Sequence, residues 1–210
     1  GPLPTPSSGG HLADLQRLVN VSSETWPVVV AWLVAALFER VPHPLLVLLG
    51  LQGSGKSTTA ALLAKLVDPS PAALRTAPSD VDGWCIAAAG PWVVPLDNVS
   101  SIPAWLSDAL CRAVTGDAMV RRQLYSDQDV TVVQFRRVII LTSIDAGSIR
   151  GDLAERFVTT EVERIDEHRR RTDGEIHAEF DRLHPELLAP SSISQHTCLR
   201  SSTTSPSTRC

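Results

Sequence analysis

Lysine is scarce in this sequence. Of the 19 basic residues, only Lys56 and Lys65 are lysines, and all the others are arginines. This arginine bias is typical of a GC-rich genome and indicates no function by itself, but it draws attention to Lys56, which lies in a glycine-rich stretch. The formal net charge of −4 gives no overall attraction to nucleic acid, so any DNA contact must come from a local patch.

Cysteine pairs and long apolar runs are also missing. The four cysteines are scattered, with no C-x-x-C pair and no histidine at zinc-ligand spacing, which predicts reduced thiols. The most apolar stretch, 26–38, is too short to cross a bilayer as a helix. The first residues lack the basic-then-apolar order of a signal peptide. We therefore expect a cytoplasmic protein with no membrane partner.

The composition predicts a globular domain with short appendages. Hydrophobic residues make up 43% and charged residues 20% of the 210 residues, which leaves room for one α/β domain. Residues 1–10 are rich in Pro, Ser and Gly, and we expect a disordered lead-in. Residues 189–210 are rich in Ser and Thr without an apolar period, and we expect a disordered tail. The domain, with helices at its N-terminus, is predicted to span 11–188.

Apolar runs without polar alternation predict buried parallel strands. Strands are predicted at 45–49, 92–96, 138–142 and 158–162, with a hairpin at 123–135. Helices are predicted at 11–19, from 26 onward, and at 57–67, 102–114, 152–156 and 174–188. Strands that alternate with helices predict an α/β fold, a three-layer sandwich around a mostly parallel sheet.

The glycine-rich stretch at 50–57 reads GLQGSGKS and fits G-x-x-x-x-G-K-[ST] between a strand and a helix. Glycines let the backbone turn tightly, so that several N–H groups point at phosphate oxygens near a helix N-terminus. In such a P-loop, Lys56 reaches the β- and γ-phosphates of ATP and the Ser57 hydroxyl ligates Mg²⁺. The predicted nucleotide contacts are Gly50, Gly53, Ser54, Gly55, Lys56, Ser57 and Thr58.

Two of the predicted strands end in polar residues. The run WVVPLDN at 92–98 delivers Asp97, the expected Walker B acid, which would hold Mg²⁺ through water and form the metal site with Ser57. The run VIILTSI at 138–144 ends in Thr142 and Ser143. In many oligomeric ATPases a polar side chain at this place orients the attacking water. A hydroxyl that only satisfies its own backbone is the alternative.

Arginines cluster around these strands. They occur as the pairs 121–122 and 136–137, and singly at Arg150 and Arg156. As a group they could contact DNA phosphates or supply a cation to a transition state, although a surface residue or a salt-bridge partner is the simpler interpretation of each one alone. The run Arg169–Arg171 has acidic neighbours, and we interpret it as a solvated face.

Taken in order, these motifs resemble the ATPases of superfamily 3 helicases, the primase-helicase motors of viruses, phages and plasmids, with an AAA+ type of fold. More closely, the chain looks like the ATP-binding proteins of actinobacterial chromosomes and mobile elements. The resemblance spans about 12–188 and rests on GLQGSGKST, VVPLDN, AVTGDAMVRRQLY, RRVIILTSI and DLAERF.

The resemblance implies an ATPase that acts on DNA as a homo-oligomeric ring. Arg122 and the hairpin at 126–133 would face DNA, Ser143 would be the sensor of the catalytic site, and Arg156 would reach the ATP of the neighbouring subunit. The sequence departs from the family in three places. Asn98 follows Asp97 where a second acid is usual, Ser143 replaces an asparagine, and the hairpin carries no basic residue.

Two other classes of function remain open beside a Mg²⁺-dependent ATPase of helicase or primase-helicase type. GLQGSGKSTTAALLA is also typical of small-molecule and nucleotide kinases. Such kinases usually carry a substrate-binding acid after the second strand and an arginine-rich lid, and the loop at 68–80 offers only Arg75 and Asp80. A nucleotide-binding assembly protein with little turnover would need only the P-loop.

Overall fold

The computed structural model describes residues 2–116, 118–122, 130–134, 136–145, 151–166, 168 and 170–189. The strands in these ranges are β1 (Leu45–Leu49), β2 (Arg75–Thr76), β3 (Val93–Asp97), β4 (Ala118–Arg122), β5 (Val130–Gln134), β6 (Val138–Ser143) and β7 (Phe157–Glu161). The helices are α1 (Leu12–Leu18), α2 (Trp26–Ala36), α3 (Lys56–Val67), α4 (Val81–Ala89), α5 (Ala104–Thr115) and α6 (Asp173–Leu187), with a 3-10 helix at Gly151–Arg156.

Five strands form a parallel sheet in the order β2-β3-β6-β1-β7. The central strands β1 and β6 pair in parallel, with Leu46 opposite Ile140 and Leu49 opposite Ser143. Every residue of β6 is buried, and so are the first four of β1. Strands covered on both faces need no polar alternation, which is why their sequences are continuous apolar runs. The predicted α/β fold around a mostly parallel sheet is therefore observed.

Helices cover both faces of this sheet. Alternate residues of a strand point to opposite faces, so Leu45 and Val47 of β1 pack with Trp84 of α4 and Leu110 of α5 in one core cluster. On the opposite face α3 packs against β1, β3 and β6, and α2 packs against α3 and β7. The carboxyl ends of β1, β3 and β6 thus lie at one edge, close to the N-terminus of α3.

Two elements differ from the sequence prediction. The proline-rich loop predicted at 69–80 contains the short strand β2, which pairs in parallel with the end of β3. Helix α4 follows directly; the sequence prediction assigned no element to 81–89, although Val81, Trp84, Cys85 and Ala88 stand at helical spacing. Its N-terminus is capped by Asp80, whose carboxylate accepts the backbone N–H of Gly83 at 2.7 Å. Burial of Trp84 and Ala88 in the core explains a helix that propensity alone did not predict.

An antiparallel pair of strands, β4 and β5, has Arg122 opposite Val130, and of the two only β5 lies within the range predicted for the hairpin. The first strand begins at Ala118, five residues earlier than predicted. Residues 123–129, which connect the two strands, lie outside the described part of the chain.

The chain divides into two compact units. One is built mainly from 19–170 and contains the sheet, and the other combines Pro4–Leu18 with residues from Arg171 onward. In the second unit α1 packs against α6, which begins with a capping box between Thr172 and Glu175. The Ser7 N–H, within the predicted lead-in, donates to the Pro185 carbonyl at 2.9 Å.

Among the described helices, none has the length and apolarity that crossing a membrane requires.

Candidate functional site

The loop between β1 and α3 is shaped by its glycines. At Gly50 a Cβ atom would lie 2.6 Å from the carbonyl oxygen of Val162, so no larger residue fits there. Gly53 and Gly55 have φ angles of +77° and +84°, which glycine adopts without strain. The loop leads into the N-terminus of α3, where backbone N–H groups without helical partners can bind an anion.

The ammonium group of Lys56 lies against this loop. Its Nζ donates to the backbone carbonyls of Gly50 at 2.6 Å and Leu51 at 2.8 Å. Burial lowers the pKa of Lys56, and the nearby Asp97 carboxylate partly opposes that shift. Because both hydrogen-bond acceptors are neutral, the positive charge of Lys56 can still attract an anion bound by the loop.

Asp97 joins the loop to the ends of β3 and β6. The Ser57 hydroxyl donates to Asp97 Oδ1 at 2.8 Å and Oδ2 at 3.0 Å, although 40 residues separate the two in sequence. The Thr142 hydroxyl donates to the same Oδ1 at 2.5 Å. The structure therefore brings Lys56, Ser57 and Asp97 together at the carboxyl edge of the sheet. Of the other predicted nucleotide contacts, Ser54 is buried within the loop and Thr58 lies in the first turn of α3.

The Ser143 side chain, the predicted sensor, contacts backbone groups at the carboxyl edge of the sheet. Its hydroxyl is buried and donates to the carbonyl oxygens of Val99 at 2.8 Å and Asp145 at 3.0 Å. The Ser143 hydroxyl thus contacts one backbone carbonyl just after β3 and another just after its own strand β6.

Thr142 is the site residue that sequence reasoning did not select. Besides its bond to Asp97, its hydroxyl accepts the backbone N–H of Asn98 at 2.8 Å, so it connects two consecutive residues at the end of β3. Thr142 and Ser143 are adjacent hydroxyl residues that end the same apolar run, and the run alone cannot say which one faces Asp97. The direction of the side chains in the pleated strand decides this.

A small cavity opens beside the ends of β3 and β6. Its volume is about 160 Å³, and it is lined by Asn98, Val99, Ser100, Ser143, Ile144 and Asp145. Asn98 has a φ angle of +53°, an uncommon conformation for a residue other than glycine and one that occurs often at functional sites. Its side chain is an amide, so this position supplies no carboxylate beside Asp97.

Ser57 and Asp97 are the predicted metal ligands of the site. Among the described residues, no group of three or more His, Cys, Asp and Glu side chains could hold a metal ion. Mg²⁺ needs no such group, because it keeps several water ligands and commonly binds through one or two carboxylates together with phosphates. A hydroxyl and a carboxylate in contact therefore fit Mg²⁺ better than a metal that requires a full protein cage.

Two of the arginines considered for phosphate contact have structural partners instead. Arg136 donates to the carbonyl oxygens of Thr115 at 2.8 Å and Glu39 at 2.9 Å. Arg137 donates through Nε to the carbonyl of Ala88 at 2.6 Å, and burial lowers its pKa. These backbone contacts account for both arginines without a DNA phosphate.

The remaining predicted residues lie apart from the Asp97 network. Arg156 is exposed at the end of the 3-10 helix, which is anchored in the core by the fully buried Leu153. Within the described side chains, Arg156 makes no hydrogen bond or ion pair. Arg122 is the last residue of β4, and the hairpin residues 126–129 are outside the described ranges.

Thr142→Val is expected to destabilise the protein because it removes a donor to Asp97 and an acceptor for the Asn98 N–H while keeping the side-chain shape. A buried group left unpaired costs about 1–3 kcal/mol, which urea denaturation would measure. Thr159→Val makes the same change at an exposed position of β7 and should alter stability by less than about 0.5 kcal/mol. Equal stabilities of the two variants would show that the Thr142 contacts contribute nothing.

Comparison with known families identifies one match over most of the chain. The profile of a family described as actinomycete integrative conjugative element replication protein matches residues 12–206. Among curated proteins, none matches the chain in sequence.

Solved structures with a similar fold share little sequence with the chain. The apo C-terminal region of NrS-1 is similar over 92% of this chain and 48% of that one, with a TM-score of 0.60 and 16% identity. The JCV helicase is similar over 92% of this chain and 60% of its own, with a TM-score of 0.50 and 14% identity. The chain thus spans about half of the NrS-1 region. These similarities confirm the predicted α/β fold, which the chain shares with the NrS-1 region and the JCV helicase.

Proposed function

The chain belongs to the family of actinomycete integrative conjugative element replication proteins, and we propose that within this family it is a Mg²⁺-dependent ATPase acting on DNA. The observation that carries the proposal is the hydrogen bond of 2.8 Å between the Ser57 hydroxyl and the Asp97 carboxylate. It joins the end of a P-loop, which follows β1, to the acid at the end of β3, and these are the two ligand types that Mg²⁺–ATP requires there.

The residues of the loop would divide the work of holding ATP. The backbone N–H groups of Gly53–Ser57 would bind phosphate oxygens, and Lys56 would exchange its two neutral carbonyl partners for charged ones, which makes stronger hydrogen bonds. Ser57 and Asp97 would hold Mg²⁺, whose charge offsets the negative charge that develops on the transferred phosphate. Thr142 would keep the Asp97 carboxylate in position through its bond to Oδ1.

Arg156 would supply a cation to the ATP of a neighbouring subunit, and the hairpin would supply the contact with DNA. The exposed Arg156 on an anchored helix could reach the ATP of a neighbouring subunit in a ring, and the described active-site edge contains no arginine in contact with Asp97. Arg122 and the hairpin at 126–133 would contact DNA, in keeping with the replication family of the chain and the fold that it shares with the JCV helicase.

Asp97→Asn tests the proposal, because it keeps the size of the side chain and removes the charge that would hold Mg²⁺. We expect phosphate release in Mg²⁺–ATP, with and without single-stranded DNA, to fall at least about tenfold, while ATP binding in EDTA persists through the loop. The exposed Asp108→Asn on α5 removes the same charge elsewhere and should release phosphate like the wild type. Wild-type turnover in Asp97→Asn would place the magnesium ligand elsewhere.

A second candidate function is favoured by Asn98. Because an amide stands beside Asp97 and cannot act as a base, the chain could bind ATP with little turnover and use it for assembly. Nucleotide-dependent oligomerisation in light scattering, together with phosphate release no faster than that of Asp97→Asn, would support this candidate over the ATPase.

A further inference from the structure

The residues that follow β7 run back along the P-loop. We name them the post-β7 segment, which consists of 162–166, 168 and 170 in the described part of the chain. The Val162 N–H donates to the Leu49 carbonyl at 2.7 Å, and its own carbonyl lies 2.6 Å from a Cβ position at Gly50. The segment therefore extends the edge strand β7 and passes directly against Gly50, the first glycine of the loop.

Two further contacts hold the post-β7 segment to the loop. The side-chain amide of Asn20 donates to the Ser54 carbonyl at 3.2 Å and also to the Glu163 carbonyl, so it bridges loop and segment. The Ile165 side chain comes within 3.3 Å of a Cβ position at Gly55. These contacts restrict the path of the segment beside the loop, and the path determines where the following side chains can reach.

Arg170, near the end of the segment, reaches the loop at Gly53. A Cβ atom on Gly53 would lie 2.8 Å from Nη2 of Arg170, so the guanidinium lies beside the turn of the loop at Gly53. Arg170 is exposed and forms no hydrogen bond or ion pair with any other described residue. A cation that has no carboxylate partner among the described residues therefore lies beside the turn of the P-loop.

We propose that Arg170 is a second cation for the phosphate chain of the nucleotide, supplied by the same subunit as the P-loop. The inference rests on the proposed function, since it assumes that the loop binds ATP. Lys56 supplies a compact charge from within the loop, and Arg170 adds a planar guanidinium from outside it. The guanidinium matches phosphate oxygens in a bidentate manner that a lysine cannot reproduce.

The test is equilibrium binding of ATP and ADP in EDTA by titration calorimetry, so that neither magnesium nor turnover contributes. Arg170→Ala is expected to weaken ATP binding about tenfold, the effect of losing about 1.4 kcal/mol from a charge-assisted hydrogen bond. The loss for ATP should be at least as large as for ADP, and Arg170→Lys should recover only part of it. Because Arg170 is exposed, the melting temperature without nucleotide should stay unchanged.

Arg164→Ala is the matched control, because Arg164 is an exposed arginine of the same segment with no described contact to the loop. Equal affinities of Arg170→Ala, Arg164→Ala and the wild type, with ATP bound by the wild type, would overturn the role of Arg170 alone. Tighter binding by Arg170→Ala would also overturn it, since the guanidinium would then compete with the nucleotide. Absence of ATP binding by the wild type would instead overturn the proposed function and the inference together.

Discussion

Lys56→Ala is expected to remove the thermal stabilisation that Mg²⁺–ATP gives to the wild-type protein. A ligand at 100 times its dissociation constant adds about 2.7 kcal/mol of stability, or about 5–10 °C in melting temperature for a chain of this size. Lys56 is the only lysine of the loop, and its Nζ is bound to two neutral carbonyls that phosphate oxygens would replace. Without it, the loop keeps backbone donors and loses its own side-chain cation.

The measurement is a thermal unfolding scan with and without Mg²⁺–ATP. Lys65→Ala is the matched control, because Lys65 is the other lysine of the chain and lies in the last turn of α3, away from the loop. Lys65→Ala should respond to ATP as the wild type does. A full shift in Lys56→Ala would show that Lys56 does not bind the phosphates.

Arg156→Ala is expected to lower ATP turnover by about 10³–10⁵, the contribution of arginine fingers in phosphoryl transfer. The guanidinium would contact the oxygens of the γ-phosphate on which negative charge develops. The compact ammonium group of a lysine matches these oxygens less well. Arg156 is exposed at the end of a 3-10 helix that Leu153 anchors in the core, a geometry suited to presenting a side chain to another subunit. An ion pair with Asp152 or Glu155 is the alternative that the sequence allows.

Mixing two inactive proteins distinguishes a finger from an ion pair. In a mixed ring of Lys56→Ala and Arg156→Ala subunits, an intact Arg156 from one subunit could serve an intact P-loop in the next, so phosphate release should partly return. Arg156→Ala mixed with the double variant, Lys56→Ala with Arg156→Ala, contains no intact Arg156 and should stay inactive. If the first mixture is equally inactive despite confirmed co-assembly, Arg156 does not act between subunits.

Several elements could be predicted from the sequence because their signals are local. The bounds of β1 are those predicted, since a continuous apolar run has one way to be buried in a parallel sheet. The glycine-rich loop was predicted with its strand and helix because a tight turn around phosphates needs glycine at fixed spacing. The same logic predicted Asp97 at the end of β3. Helix α4 was not predicted, although its apolar spacing and its N-cap Asp80 are both present in the sequence.

The sequence by itself thus determined the P-loop, the acid at the end of a later strand and the α/β class, because each is encoded by adjacent residues. Only the tertiary structure decided which hydroxyl faces the acid and which arginine lies against the loop. Thr142 contacts Asp97 and Ser143 does not, because successive side chains of a strand point in opposite directions. Arg170 reaches Gly53 only because the post-β7 segment folds back along the loop, a contact between residues distant in sequence.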